Sequence, residues 1–166
     1  MGRIGKGVQR WGWLLAAAFG GALLFVQAPA LVIYNGSQSV PTGFYLRSQD
    51  PITMGAFVTL RAADASAAYA HERGFDGAED RFIKRVAAGA GARICASGDT
   101  VILGDGRELT RLERDAAGRR LPAWSGCRTL GADEVFLLGD TPDSFDSRYW
   151  GPVRRDRIDG VWRPLR

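Results

Sequence analysis

The run Arg81-Phe82-Ile83-Lys84-Arg85-Val86-Ala87 decides how the chain is read. It is short, rich in Ile, Val and Phe, and bounded by turn-forming residues, which is the pattern of a β-strand. In a strand, alternate side chains share a face. Phe82, Lys84 and Val86 then point one way, and Arg81, Ile83 and Arg85 the other. Working outward, Ala56–Arg61, Thr100–Leu103 and Glu134–Leu138 are comparable apolar runs separated by Gly and Pro. Gly104-Asp105-Gly106 marks a hairpin turn. Ala62–Arg73 is Ala-rich and reads as one short helix or a flexible insertion. No repeat and no long linker interrupts this order, so the body is mostly β.

Lys84 carries a chemical question as well. Of the 22 basic residues 20 are Arg, and Lys6 and Lys84 are the only lysines. An arginine stays charged, so it cannot serve where a neutral amine is needed. A lysine between two apolar neighbours on a buried face loses hydration, which pulls its pKa down from about 10.4. That is the requirement for a lysine general base. On the strand alone, the plainer alternative is a surface lysine with its stem lying on the sheet.

The N-terminal end has another character. Trp11 to Tyr34 is a stretch of 24 residues without a charge. As a helix it would measure roughly 36 Å at 1.5 Å per residue, against a hydrocarbon core of about 30 Å. Trp11, Trp13 and Tyr34 stand near its ends, where amphipathic aromatics favour the lipid–water interface. Arg3, Lys6 and Arg10 precede it, and residues 1–34 contain no acid. The expectation is a cytoplasmic N-terminus (1–10), one transmembrane anchor in the inner membrane (11–34) and a periplasmic domain (35–166). A cleaved signal peptide is the alternative, since Ala28-Pro29-Ala30 loosely fits a cleavage site. Either way the body is exported.

With the three N-terminal cations set aside, 19 basic side chains face 18 acidic ones. So balanced a body lacks the broad basic face that nucleic acid requires. Cys95 and Cys127 make an even pair in an exported domain, where disulfides persist. A bridge would stabilise by about 3–4 kcal/mol in the chain-entropy model. Two separate reduced thiols are the alternative. With one histidine, His71, a metal centre lacks ligands, and no cofactor is expected. A Ser-His-Asp hydrolase through His71 is a poor fit, because no nucleophile-elbow motif exists.

Two further segments are dense in polar groups. Asn35-Gly36-Ser37-Gln38-Ser39-Val40-Pro41-Thr42-Gly43-Phe44-Tyr45 reads by composition as a linker. The strand Glu134–Leu138 runs into Gly139-Asp140-Thr141-Pro142-Asp143-Ser144-Phe145-Asp146-Ser147-Arg148-Tyr149-Trp150-Gly151. Carboxylates, hydroxyls and an arginine beside an apolar strand are costly unless they bond one another, and Asp146 and Arg148 are close enough to pair.

Taken in order, these segments resemble the type I signal peptidase superfamily. Ser39-Val40-Pro41-Thr42-Gly43-Phe44-Tyr45 looks like the nucleophile segment of its TraF-type branch, the conjugative-transfer peptidases. Phe82–Val86 resembles the family's lysine box, Gly98-Asp99-Thr100-Val101 the strand after it, and Gly139–Gly151 the last box. Signal peptidases of the general secretory type usually have two residues, the first Met, between serine and proline, where this chain has only Val40. Gly139-Asp140-Thr141-Pro142 stands where many relatives have Gly-Asp-Asn-Arg. Both departures, with the short chain, favour the TraF-type branch.

The resemblance implies a signal-peptidase-like β fold and a Ser–Lys dyad, with Ser39 as nucleophile and Lys84 as general base. It places the Ser39 N–H and the Ser37 hydroxyl in the oxyanion hole. Ser144 orients the lysine, Asp146 and Arg148 hold the site together, and Asp140 belongs to the same box. The implied substrate is a membrane-embedded precursor at the lipid bilayer, a conjugative pilin that is cut and joined head to tail. A housekeeping signal peptidase is the rival within enzymes. A non-catalytic membrane-anchored assembly factor is the rival outside them.

Overall fold

The computed structural model describes residues 30–165. These hold eleven strands: β1 Val32–Asn35, β2 Gly43–Ser48, β3 Phe57–Arg61, β4 Arg81–Ala88, β5 Arg93–Ser97, β6 Thr100–Leu103, β7 Glu108–Thr110, β8 Gly126–Thr129, β9 Glu134–Leu138, β10 Val153–Arg154 and β11 Ile158–Pro164. Two helices join them, α1 Ala62–Glu72 and α2 Ser147–Trp150, with a 3₁₀ turn at Arg155–Arg157. The larger sheet has seven strands in the order β1-β2-β11-β3-β4-β9-β10, and the smaller has four, β7-β6-β5-β8.

The expected alternation in Arg81–Val86 sorts the core. Val86 and half-buried Phe82 pack with Val58, Leu60, Val135 and Leu137 on one face of the larger sheet. Ile83 packs with Val40, Tyr45, Phe57 and Trp162 on the other. A third cluster, built on Ile94, Val101, Leu103 and Phe136, joins the smaller sheet to the end of β4. The Gly104-Asp105-Gly106 hairpin joins β6 to β7. Ala62–Arg73 is helical almost throughout, with a break at Ser66.

Two expectations change. Val32–Tyr34, placed at the outer end of the 11–34 span, belong to β1, whose residues pair with β2 from Val32↔Leu46 to Asn35↔Gly43. Residues 32–34 therefore leave the expected span, because their backbone groups are matched by a neighbouring strand. Residues 1–29, which hold the expected N-terminus and most of the expected 11–34 anchor, lie outside the described residues, and no helix among the described residues is long and apolar enough to cross a membrane. The 35–45 stretch is also no linker. It is a hairpin, with residues 36–42 as the loop between paired Asn35 and Gly43.

Cys95 and Cys127 face each other across β5 and β8 and form a disulfide.

Candidate active site

The nucleophile candidate sits in a loop wired by one buried side chain. Asn35, 6% exposed, donates from its amide to the carbonyls of Ser37, Val40 and Pro41 at 2.8, 3.1 and 3.0 Å. Its Oδ1 accepts the Ser37 N–H at 3.1 Å. The Tyr45 hydroxyl adds a bond to the Pro41 carbonyl at 2.6 Å, and Val40 is buried beneath. These bonds hold Ser37 and Ser39 outward and together. The two hydroxyls lie 2.8 Å apart, and the Ser39 N–H donates to Ser37 Oγ at 3.1 Å.

Lys84 approaches from beneath. It is 3% exposed, and its Nζ donates to Ser144 Oγ at 2.8 Å. Burial lowers its pKa to about 8, with nearby Asp146 acting against that fall and Arg148 with it. Solvent exclusion is thus the main cause, and no carboxylate bonds the amine directly.

The loop that brings Ser144 is held from inside. Asp146 is fully buried and caps α2 by accepting the Arg148 N–H at 3.1 Å. Its carboxylate also takes the Gly139 N–H at 2.9 Å and the Arg148 guanidinium at 2.9 and 2.8 Å. Arg148 donates in turn to the carbonyls of Thr141, Pro142 and Ser144. Burial works against its charge, but the Asp146 bonds outweigh it and the pKa is raised.

Gly139 is the hinge between this loop and the nucleophile. A Cβ there would stand 2.1 Å from Ser144 Oγ and 2.8 Å from the Ser39 carbonyl oxygen. That carbonyl accepts the Asp140 N–H. The Asp140 carboxylate itself turns away from the Asp146–Arg148 pair. It forms a two-bond pair with Arg85, at 2.9 and 2.8 Å, on the face of β4 opposite Lys84. Asp140 thus fastens loop to strand, and it reaches Lys84 only through space, as a lesser charge that works with Asp146 against the fall in the amine's pKa.

Ser37, Ser39, Lys84 and Ser144 line one cavity of about 370 Å³. Its aromatic wall comes from Tyr69 and Phe75, in and just after α1, with Phe82 and Phe145. Tyr69 stacks on Phe145 with 3.4 Å between ring centroids. Ser39 and Lys84 make no hydrogen bond to each other; each is held by another serine. His71 is exposed and pairs with Asp76 at 2.9 Å, outside the cavity. Among the described residues no cluster of His, Cys, Asp and Glu could hold a metal ion.

Sequence reading missed Asn35, Gly139, Arg85, Arg111 and the aromatic wall. Arg111 is buried and donates to the carbonyls of Trp124 and Arg148. Only Asn35 had a local signal, an Asn-Gly pair opening a loop.

The family model described as signal peptidase, peptidase S26, matches residues 8–164. A plasmid transfer protein TraF of Escherichia coli is 34% identical over 170 residues, spanning 95% of this chain and 96% of that one. A second TraF of Escherichia coli is 35% identical over 142 residues, spanning 79% of this chain and 80% of its own. A crystal structure of a signal peptidase I from Enterococcus faecalis V583 aligns with 69% of this chain and 98% of that one, at 22% identity and a TM-score of 0.40. The chain belongs to the signal peptidase family, peptidase S26. Within the type I signal peptidase superfamily it is of the TraF type. It is accordingly a serine peptidase acting on a precursor protein.

Proposed function

We propose that this chain is a membrane-anchored endopeptidase that cuts a precursor with a Ser39–Lys84 dyad. The observation that carries the reading is the buried Lys84 amine, brought down to about 8 and lining the same cavity as Ser39. In the proposed mechanism the Ser39 hydroxyl turns from Ser37 to neutral Lys84, which takes its proton as Oγ attacks the peptide carbonyl. That turn frees the Ser37 hydroxyl. It then donates, with the Ser39 N–H, to the oxyanion of the tetrahedral intermediate. Protonated Lys84 hands its proton to the leaving amine, and water or another amine resolves the acyl-enzyme.

An open strand edge supports substrate binding beside the dyad. β9 pairs with β4 only over Arg85–Ala88. Val86 directs both its N–H and C=O toward the β3 side, to Ala56 and Gly55. By alternation, the backbone groups of Arg81 and Ile83 face the side where β9 has stopped. An extended substrate can add there, with the scissile carbonyl near Ser39.

The similarity to two plasmid transfer proteins along most of their length supports a conjugative substrate, a pilin precursor, with ring closure as the acyl-enzyme's second fate. The uncharged run before Val32 and the basic residues ahead of it support an anchor in the inner membrane with the catalytic domain in the periplasm. Mass spectrometry of the candidate pilin tests the reading. Ser39→Ala and Lys84→Arg each leave the precursor uncut, and closure of a ring shows as the loss of one water. Full processing in either variant overturns the dyad.

A further inference from the structure

Behind the loop at 139–143 lies a second cavity, of about 550 Å³. Thr141 and Asp143 line both cavities, so the two meet at the loop that carries Ser144. We infer that this second cavity receives the substrate chain on the amine side of the cut bond, as an extended apolar segment laid along β7. The inference rests on the proposed dyad.

Three observations carry it. First, β7 is an edge strand, paired with β6 alone. The Arg111 N–H bonds the Asp99 carbonyl, and the Leu103 N–H bonds the Arg107 carbonyl. Odd-numbered residues therefore face β6, and the backbone of Glu108 and Thr110 faces outward. The Thr110 carbonyl already meets Arg148 of the opposite wall at 3.4 Å. Glu108 keeps its N–H and C=O for an added strand. Second, the exposed lining is mostly apolar, with Leu112 on one side and Leu138 and Pro142 on the other, and with Glu108, Asp140, Asp143 and Arg148 as its charged members. Leu112 is 48% exposed, an apolar surface that a peptide side chain would cover. Third, the direction follows from the proton. The Lys84 Nζ donates to Ser144, on the loop whose Thr141 and Asp143 line both cavities, so a leaving amine that takes its proton departs beside the passage into the second. The aromatic cavity and the open edge of β4 are left for the acyl side.

Acyl transfer tests this directly, because an amine that attacks the acyl-enzyme enters through the site the leaving amine used. In that step the Ser39 ester C–O bond breaks and an amide C–N bond forms. Neutral Lys84 takes the amine's proton and returns it to Ser39 Oγ. The purified full-length chain in detergent is acylated with the thiobenzyl ester of acetyl-alanylalanine. Products are then counted by mass spectrometry with glycinamide or leucyl-leucinamide as acceptor. The ratio of transfer to hydrolysis is expected to be roughly tenfold higher for leucyl-leucinamide, the worth of one well-covered apolar side chain. Leu112→Glu reduces that advantage to about twofold or less, and Leu112→Gln moves it the same way. Consumption of the thioester reports that each variant is folded. Equal ratios for the two acceptors, or an advantage undiminished in both variants, would overturn the cavity's role while leaving the dyad in place. A thioester that the native chain does not consume, or consumes equally well as Ser39→Ala, would instead remove the dyad and this inference with it.

Discussion

The hairpin loop that holds Ser39 and the strand that holds Lys84 reach the same cavity by opposite means. The loop is secured over a short stretch of chain. Asn35 bonds three carbonyls no more than six residues away, and its serines stay in reach of solvent. The strand itself gives its lysine only an apolar neighbour, Phe82, whose ring centroid lies 5.8 Å from Nζ. Lys84 owes its low pKa to burial by remote segments and its one hydrogen bond to Ser144, sixty residues on. A nucleophile must meet its substrate, so exposure suits it. An amine that must be neutral needs water kept away, and only tertiary packing does that.

If that division holds, the greatest damage comes where the two halves touch. Gly139→Ala puts a methyl group within 2.8 Å of the Ser39 carbonyl and closer still to Ser144 Oγ. It is expected to cost about 3–5 kcal/mol in urea unfolding and to leave no measurable cleavage. A variant as stable as the native chain would show that loop and strand are not locked together there.

Next comes the local half. Asn35→Ala leaves three loop carbonyls without their donor, and about 2–3 kcal/mol is expected from denaturant midpoints. Cleavage should fall while Lys84 still titrates near its native value. A shifted pH profile would mean that the loop, too, sets the lysine's state.

The remote half gives the smallest and most diagnostic effect. Activity requires neutral Lys84, so it should rise with pH through about 8. The folded state releases this proton well before the unfolded state does. Stability from this group therefore increases between about pH 8 and pH 10 and is absent below that window. Lys84→Met removes the buried charge and the bond to Ser144. At pH 7 it should be inactive yet more stable by about 1–3 kcal/mol. The advantage should shrink as pH is raised toward 10. An advantage that did not change with pH would place the amine in water.

Much of this was legible in the residues. Thr100–Leu103 and Glu134–Leu138 are strands with the bounds the apolar runs indicate, and Arg81–Ala87 extends by one residue. These strands sit in the core, where period and hydrophobicity agree. β8, Gly126–Thr129, is exposed throughout, and β11 carries Asp159, Gly160 and Pro164, so neither has an apolar rhythm to read. β1 failed differently. Val32-Ile33-Tyr34 continues an apolar run, and hydropathy alone has no mark for the residue at which a strand begins within such a run. In the site, Asp146 and Arg148 stood out because carboxylate and guanidinium crowd one turn, whereas Ser144 was singled out by the family resemblance alone. Arg85 was in view without a role, because its partner Asp140 lies 55 residues away.

The sequence by itself determined the chemistry on offer: one lysine in the body, serines at 37 and 39 in a Gly- and Pro-rich turn, and a family order that ties them together. Tertiary structure alone decided that the amine is dry, that Asp140 faces Arg85, and that two cavities meet at Thr141 and Asp143. The reason is physical. Residue identity and spacing set hydrogen bonds that close within a few residues, whereas solvent exclusion and the faces of a shared loop exist only once distant strands have packed.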